Sequence, residues 1–157
     1  LPAVVGKTGV VLKHGDETLR ISAESARRVR APSVNRLIEM LQSTQSLVRN
    51  MHKAGIVQPR GTAAHHIVPS AVKGPAADQA RAVLRKFGID QHNAANGVFL
   101  PTTLDSTVGA ALHGYGVHSP AYCAAIWSRL KNARSKQEAI IILDQIRNEL
   151  LAGTFRY

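Results

Sequence analysis

Hydrophobic and polar positions divide the first third of the chain into a hairpin and two helices. Residues 10–13 and 18–21 are β-branched runs on either side of a polar turn, which predicts a short β-hairpin. Ser22 stands where it would cap a short basic helix through Arg30. A longer helix is predicted over residues 32–55 from apolar residues at helical spacing. Its apolar stripe consists of Leu37, Ile38, Leu41, Leu47, Val48 and Met51.

After a polar linker at residues 58–61, short apolar runs alternate with helices. A proline ends both apolar runs, as is typical where a strand stops, and Gly88 follows the first of the helices. Ser135 and Glu138 have capping-box spacing at the start of the last helix. The predicted elements are a strand at 64–69, a helix at 76–87, a strand at 97–101, a helix from Ser119–Pro120 onwards, and a last helix that begins after Ser135, carries an apolar stripe over 140–151 and stops at Gly153.

This order of elements predicts an α+β, mainly helical fold. A chain of 157 residues can close one hydrophobic core, and no internal repeat or low-complexity tract divides it. We therefore expect one compact domain, in which an N-terminal hairpin and helices at residues 1–59 pack on a core at residues 60–157. The chain starts at Leu1 and not at a methionine, so we expect it to be the C-terminal module of a longer protein.

Composition and charge narrow the classes of function. Twenty Lys and Arg against ten Asp and Glu give a formal net charge of +10, which favours polyanionic partners, nucleic acid first. The single cysteine, Cys123, excludes an intramolecular disulfide and the paired thiolates of a zinc finger. No apolar run reaches the roughly 18 residues of a membrane span. The first residues given do not have the pattern of a signal peptide, and the sequence contains no P-loop motif and no serine-hydrolase elbow.

Histidines carry the candidate chemistry. His65 and His66 lie at the start of the first apolar strand, and neutral imidazole serves both as a general base and as a metal ligand. Adjacent side chains of a regular strand point to opposite faces, so the two would diverge unless the strand end twists. Asn96 introduces the second strand, and His113 and His118 precede the next helix. Two strands and a helix in this order are typical of a ββα-metal finger.

Residues 61–130 resemble the AHH nucleases of the HNH/endonuclease VII superfamily. Three separated blocks carry the resemblance: AHHIVP at residues 64–69, NGVFLP at residues 96–101, and the segment from His113 to Tyr122. The resemblance implies a ββα-metal finger embedded in helices, and metal-dependent hydrolysis of phosphodiester bonds. The first sixty residues lie outside it.

The resemblance also implies a role for each matching residue. His66 matches the general base of the superfamily, and His65 matches the metal ligand beside it. Asn96 matches the asparagine of the second strand, which orients the base or joins the metal shell. His113 and His118 would supply the remaining ligands. They are five residues apart here, whereas the family spaces them more tightly, so which of the two binds the metal stays open.

The function implied is that of a DNA endonuclease of low sequence specificity, the toxic domain of an antibacterial effector. Members of the family resemble toxins that a secretion system delivers into the cytoplasm of target cells and that an immunity protein neutralises. Charge complementarity to +10 predicts an acidic immunity protein. We expect one divalent metal ion, Zn²⁺, Mg²⁺ or Mn²⁺. The alternatives are an RNase that uses the same histidines and a non-catalytic, zinc-stabilised nucleic-acid-binding module.

Further residues are candidates on weaker patterns. Asn93 is an alternative to Asn96, and Asp105 is an acid that would orient a histidine. Tyr122 either supports a ligand or belongs to the core, and His92 is expected at the surface. Phosphate contacts are expected from the cations Arg81, Arg85, Lys86, Arg129 and Arg134.

Overall fold

The structure is a computed structural model. It describes residues 4–6, 9–14, 17–22, 31–102 and 117–157, with side chains at residue 39 and in the ranges 41–102 and 117–157. The chain divides into two compact units, Leu1–Leu41 and Gln42–Tyr157. In chain order the described elements are β1 (Val4–Gly6), β2 (Gly9–His14), β3 (Glu17–Ser22), α1 (Ala31–Lys53), β4 (Thr62–His66), α2 (Pro75–Lys86), β5 (Gly97–Pro101), α3 (Pro120–Leu130) and α4 (Lys136–Ala152).

In the first unit, β1, β2 and β3 form an antiparallel sheet in that order. Leu12 pairs with Leu19 across β2 and β3, which confirms the predicted hairpin, and β1 adds a strand that the sequence pattern did not predict. Ser22, expected to cap a helix, is instead the last residue of β3, where it pairs with Gly9. The rest of that predicted helix, residues 23–30, lies outside the described residues.

The second unit contains the hairpin of β4 and β5. These strands are antiparallel, with Ala64 opposite Phe99, His65 opposite Val98 and His66 opposite Gly97. Strand β4 ends at His66, three residues before the predicted end at Pro69. The reason is that its partner strand begins only at Gly97, and the preceding residues 94–96 form a 3₁₀ turn.

Helix boundaries in the second unit follow local capping. The Ser119 side chain accepts a hydrogen bond from the Tyr122 backbone N–H at the start of α3. Ser135 accepts one from the Glu138 N–H at the start of α4. Gly153 adopts φ 67°, the left-handed conformation that glycine tolerates best, and ends α4. The predicted positions of these helices are confirmed.

The main core joins the three later helices to the hairpin. Its buried side chains come from α2, α3, α4, β5, the segment after β4 and the segments that flank the helices. A smaller cluster joins α1 to the hairpin through Leu47, Met51, Ala64 and Phe99. Gly97 allows this close approach, because an added Cβ would lie 2.5 Å from Met51 Sδ and 3.0 Å from Leu47 Cδ1.

The fold is α+β and mainly helical, as predicted, and it is consistent with a small ββα-type nuclease domain. The second unit supplies the strands β4 and β5 and then the helix α3, which is the order expected for a ββα finger. None of the helices in the described ranges is long and apolar enough to span a membrane. The predicted packing of residues 1–59 on residues 60–157 stays a prediction.

Candidate active site

Strand β4 ends in two buried histidines that contact different partners. His65 is 1% exposed and His66 is 7% exposed. Successive side chains of a strand point to opposite faces. Accordingly, His65 contacts Tyr122 and His118, whereas His66 contacts His92. The two imidazoles therefore have separate environments, which suits two separate roles.

A chain of hydrogen bonds through Tyr122 fixes the ring of His65. His65 Nε2 lies 3.1 Å from Tyr122 Oη, and the Tyr122 hydroxyl donates to the Ile67 carbonyl oxygen at 2.9 Å. A phenol has one hydrogen, and here it goes to Ile67, so His65 Nε2–H donates to Tyr122 Oη. The lone pair of the neutral His65 ring is then on Nδ1. Metal-binding histidines commonly donate their other ring N–H to a fixed acceptor in this way.

Tyr122 belongs both to the core and to the site. Its side chain is fully buried, and its ring lies edge-on to Phe155 with 5.7 Å between centroids. Burial raises the pKa of Tyr122 well above its usual value, with smaller contributions from Cys123 and Tyr157. The hydroxyl therefore keeps the hydrogen that it donates to Ile67.

His118 lies just before helix α3 and faces His65. The side chain of His118 is exposed, and the two ring centroids are 5.0 Å apart at an interplanar angle of 67°. The next residue, Ser119, caps the helix, so His118 is not needed for capping. The other ligand predicted in this segment, His113, lies outside the described residues, as does Asp105.

The surroundings of His66 keep its imidazole neutral. The pKa of His66 is lowered from 6.5 to about 4, first by burial and then by repulsion from His92 and His118, while Asp90 opposes the shift. At physiological pH the ring therefore holds a lone pair, as a general base requires.

His92 is one of two residues of the site that the sequence did not predict. It is half-buried and not on the surface as expected, and its Nδ1 lies 3.0 Å from His66 Nε2. The rings are close to perpendicular, with 5.2 Å between centroids. The two histidines are 26 positions apart on different segments, so no local pattern pairs them.

Asn96 holds the backbone that follows His66. Its Oδ1 accepts a hydrogen bond from Val68 N–H at 2.8 Å, and its Nδ2 donates to the carbonyl oxygens of Val68 and Gln91. Because these bonds use both ends of the buried amide, Asn96 acts on the site through the backbone. The alternative candidate, Asn93, caps the 3₁₀ turn by accepting from Ala95 N–H.

Arg147 of helix α4 is a second residue that sequence reasoning missed. Its guanidinium donates to the carbonyl oxygens of Ala94, Ala95 and Gly97, at 2.9 to 3.0 Å, and it pairs with Asp144. These bonds tie the last helix to the turn that leads into β5. Only the fold brings Arg147 there, since about fifty residues separate it from its partners.

The predicted phosphate-contact residues differ in whether a carboxylate already pairs with them. Arg81 pairs with Asp78 and donates to the Pro69 carbonyl oxygen, and Arg129 Nη1 donates to both carboxylate oxygens of Glu149. The other three predicted cations are exposed; they are Arg85, Lys86 and Arg134.

The donor chemistry of His65 and His118 fits a divalent metal ion. Neighbouring imidazole nitrogens are ligands that zinc and similar ions prefer, and the hydrogen bond of His65 sets its lone pair on Nδ1. Within the described ranges, no group of three His, Cys, Asp or Glu side chains lies close enough to hold an ion. An ion held by these two side chains alone would take its other ligands from water, substrate or a further side chain.

Comparison with known proteins identifies the family of the chain. A family model, AHH, described as a nuclease family of the HNH/ENDO VII superfamily with conserved AHH, matches residues 46–150. No curated protein and no solved structure matches the chain. The matched segment is more than half of the chain and contains all the histidines of the site. The chain therefore belongs to the AHH family of nucleases.

Proposed function

We propose that this nuclease is a metal-dependent endonuclease that hydrolyses phosphodiester bonds of DNA with low sequence specificity. The observation that carries the proposal is the buried His65–His66 pair, in which each imidazole has its own hydrogen-bond partner. One histidine of the pair is suited to bind a metal ion, and the other is suited to accept a proton. Hydrolysis of a phosphodiester uses both functions.

His66 is the proposed general base. Its pKa near 4 keeps the imidazole neutral at physiological pH, so it is able to take a proton from the attacking water. A base of such low pKa is weak in the free protein. The negative charge of a bound phosphate favours the imidazolium, and it therefore raises the pKa of His66 when substrate is present.

His65 and His118 are the proposed metal ligands, with His113 as a third candidate. Nucleases of this superfamily are generally metal-dependent. When bound, a divalent ion would polarise the scissile phosphate and stabilise charge on the leaving oxygen. We assign Asn96 to positioning, because its amide bonds hold the backbone directly after His66.

The low sequence specificity follows from the kind of contact that the protein offers. Arg85, Lys86 and Arg134 are exposed cations that suit phosphate oxygens, and phosphate contacts carry no direct sequence information. Arg81 and Arg129 are left out of this set, because carboxylates already engage them.

The proposal extends to the biological role. A nuclease of low specificity degrades the nucleic acid of the cell that makes it, so a producing cell needs a protein that blocks the site. We propose that the chain is the toxic domain of a secreted antibacterial effector and acts in the cytoplasm of target cells. The partner is an acidic immunity protein, complementary to the net charge of +10.

Cleavage of supercoiled plasmid tests the enzymatic proposal. Purified protein is incubated with plasmid and separately with structured RNA, in EDTA and with added Mg²⁺, Mn²⁺ or Zn²⁺. We expect nicking or linearisation of the plasmid that requires metal and is lost in His66→Ala. The matched control is His52→Ala, which removes an exposed histidine that has a ring contact only with Phe99 among the described pairs and should leave cleavage unchanged.

Other outcomes of that experiment separate the alternatives. Metal-free cleavage confined to RNA would favour an RNase. Binding of plasmid without cleavage under any metal would favour the zinc-stabilised binding module.

A growth assay tests the biological role. Expression of the chain in the cytoplasm of a laboratory bacterium should stop growth, and expression of the His66→Ala variant should not. If the wild-type protein cleaves plasmid in vitro and bacteria that express it still grow, the toxin proposal is contradicted.

A further inference from the structure

His66 and His92 share one hydrogen bond, and its direction decides what His66 is able to do. The atoms concerned are His66 Nε2 and His92 Nδ1, which are 3.0 Å apart. Between two neutral imidazoles only one of these nitrogens carries the hydrogen. Either His66 donates and His92 accepts, or the reverse.

The two directions give His66 different reactive atoms. If His92 donated, the only lone pair of His66 would be used in the hydrogen bond, and its hydrogen would be on Nδ1. If His66 donates from Nε2, its lone pair is on Nδ1, where it is able to accept a proton from water. Only the second direction is compatible with a general base at His66.

We propose that His92 is a positioning residue for His66: its Nδ1 accepts the hydrogen bond of His66 Nε2–H and so keeps the lone pair of His66 on Nδ1. This inference rests on the proposed role of His66 as the base. When His66 takes a proton from water, the new N–H forms at Nδ1 and the existing Nε2–H bond to His92 is kept. His92 then acts as the acceptor that stabilises the imidazolium.

The segment that carries His92 is held from several directions. Asn50 Nδ2 of helix α1 donates to the His92 carbonyl oxygen at 2.8 Å, and the His92 N–H donates to Asp90 Oδ1 at 2.7 Å. The neighbouring Gln91 carbonyl oxygen accepts from Asn96 Nδ2 at 2.9 Å. Asn96 also holds the backbone after His66, so one side chain sets the positions of both partners.

The same arrangement occurs at the other histidine of the pair. At His65, the Nε2–H donates to Tyr122 Oη and the lone pair is on Nδ1. With His92 as acceptor, both adjacent imidazoles of β4 use Nε2 for a bond within the protein and Nδ1 for chemistry. This common orientation supports the assigned direction of the His66–His92 bond.

The ring tautomer of His66 tests the proposal directly. Nuclear magnetic resonance of ¹⁵N-labelled histidines distinguishes a hydrogen on Nε2 from one on Nδ1, and it needs neither substrate nor activity. Measured in EDTA at pH 7.5, wild-type His66 should carry its hydrogen on Nε2. The His92→Ala variant should shift the ring towards a mixture of the two tautomers. A wild-type His66 with its hydrogen on Nδ1 would overturn the proposal.

Kinetics provide the second test, with whichever nucleic acid the wild type cleaves. His92→Ala should lower kcat about 10- to 100-fold, the usual effect of removing a residue that orients a reacting group, while KM changes less than about twofold. His92→Asn should restore kcat to within a few-fold of wild type, because an asparagine oxygen can occupy the position of Nδ1 and accept the bond. His52→Ala is the control for loss of a histidine.

Two kinetic outcomes would overturn the proposal: full kcat in a folded His92→Ala variant, or equal losses in His92→Ala and His92→Asn. The tautomer measurement keeps this test apart from that of the proposed function. If the wild-type protein cleaves no nucleic acid, the proposed function is wrong, but the tautomer measurement still decides the direction of the His66–His92 hydrogen bond.

Discussion

Burial keeps His66 neutral, and this ties the stability of the folded protein to pH. The pKa of His66 in the folded protein is about 4, against 6.5 for an ordinary histidine. Between these pH values the unfolded chain binds more protons at His66 than the folded protein does. The free energy of unfolding therefore rises with pH in this window and falls on acidification. From about one pH unit above 6.5 both states are neutral at His66, so the contribution no longer changes.

We predict that acidification of metal-free protein from pH 6.5 to pH 4 lowers the free energy of unfolding by about 3 kcal/mol through His66. The groups that face it, His92, His118 and Asp90, are kept in every variant compared. Urea unfolding in EDTA at half-unit pH steps measures the effect. His66→Asn should lose this part of the pH dependence, and the exposed His52→Asn should keep it. Equal pH slopes in wild type and His66→Asn would contradict the prediction.

Helix α1 packs directly on Gly97 and leaves little room for a side chain there. Its backbone is extended, with φ −114°, so alanine would not strain the chain. The Cβ of an alanine would instead lie 2.5 Å from Met51 Sδ and 2.9 Å from Met51 Cγ, in a cluster where Met51 is fully buried. Crowding of a packed core typically costs about 1–3 kcal/mol.

We therefore predict that Gly97→Ala lowers the free energy of unfolding by about 1–3 kcal/mol. Because Gly97 pairs with His66, the variant should also reduce nuclease activity. Chemical denaturation of a double-mutant cycle with Met51→Ala isolates the cause: Gly97→Ala should cost less when Met51 is absent. Additive effects of the two substitutions would show that crowding against Met51 is not the reason.

Among the elements, helix α4 contacts the turn beside the site through Arg147. Arg147 donates to three carbonyl oxygens of residues 94–97 and is 18% exposed. The turn that it holds contains Asn96 and leads into β5, the strand opposite His66. We predict that Arg147→Met lowers the free energy of unfolding by about 2–4 kcal/mol, since hydrogen bonds to a charged donor are lost and carbonyl oxygens are left buried.

Denaturation by urea measures the effect of Arg147→Met, and Asp144→Asn provides the control. Asp144 pairs with the same guanidinium but is 57% exposed, so its loss should cost less than about 1 kcal/mol. If the two variants were equally destabilised, the surface ion pair and not the carbonyl contacts would account for the effect of Arg147.

Contacts between residues close together in the sequence could be predicted, and contacts between distant residues could not. Ser119 and Ser135 cap helices through bonds to residues three positions away, and such local contacts are visible in the sequence. The histidine pair of β4 could be found because it is contiguous and belongs to a known motif. His92 and Arg147 act across 26 and about 50 residues, and no local pattern encodes those distances. The predicted end of β4, at Pro69, is wrong by three residues for the same reason, because the strand ends where its partner β5 begins.

At the scale of the whole molecule, the excess of positive charge could be counted from the sequence. Which cations pair with carboxylates and which are exposed to a ligand could not be predicted from it. Arg81 and Arg129 are engaged by carboxylates, whereas Arg85, Lys86 and Arg134 are exposed. The last turn of α2 and the loop after α3 border one open cleft of about 240 Å³. Its lining includes Lys86, Phe87, Trp127, Lys131 and Ala133. Lys86 lines the cleft, and Arg85 and Arg134 are the sequence neighbours of its lining residues Lys86 and Ala133, so all three exposed cations lie on the surface around the cleft.

We predict that this surface accounts for much of the salt dependence of DNA binding. Each phosphate contact adds about 0.9 to the slope of log affinity against log salt for duplex DNA. Replacement of Arg85, Lys86 and Arg134 by Gln should therefore reduce that slope by up to about 3. Binding is measured in the His66→Ala background by fluorescence anisotropy, and Trp127, the only tryptophan of the chain, reports occupancy of the cleft itself.

The matched control removes the same charge elsewhere, at three exposed cations on α1 and near the C-terminus. These are Arg49, Lys53 and Arg156. If the surface holds the nucleic acid, the control variant keeps most of the salt slope and the change in Trp127 fluorescence on binding. If both triple variants lose the same slope, total charge attracts the DNA and no particular surface holds it. The first result would mean that DNA follows a defined path over α2 and the loop after α3, because only fixed contacts give a slope that depends on which cations are removed.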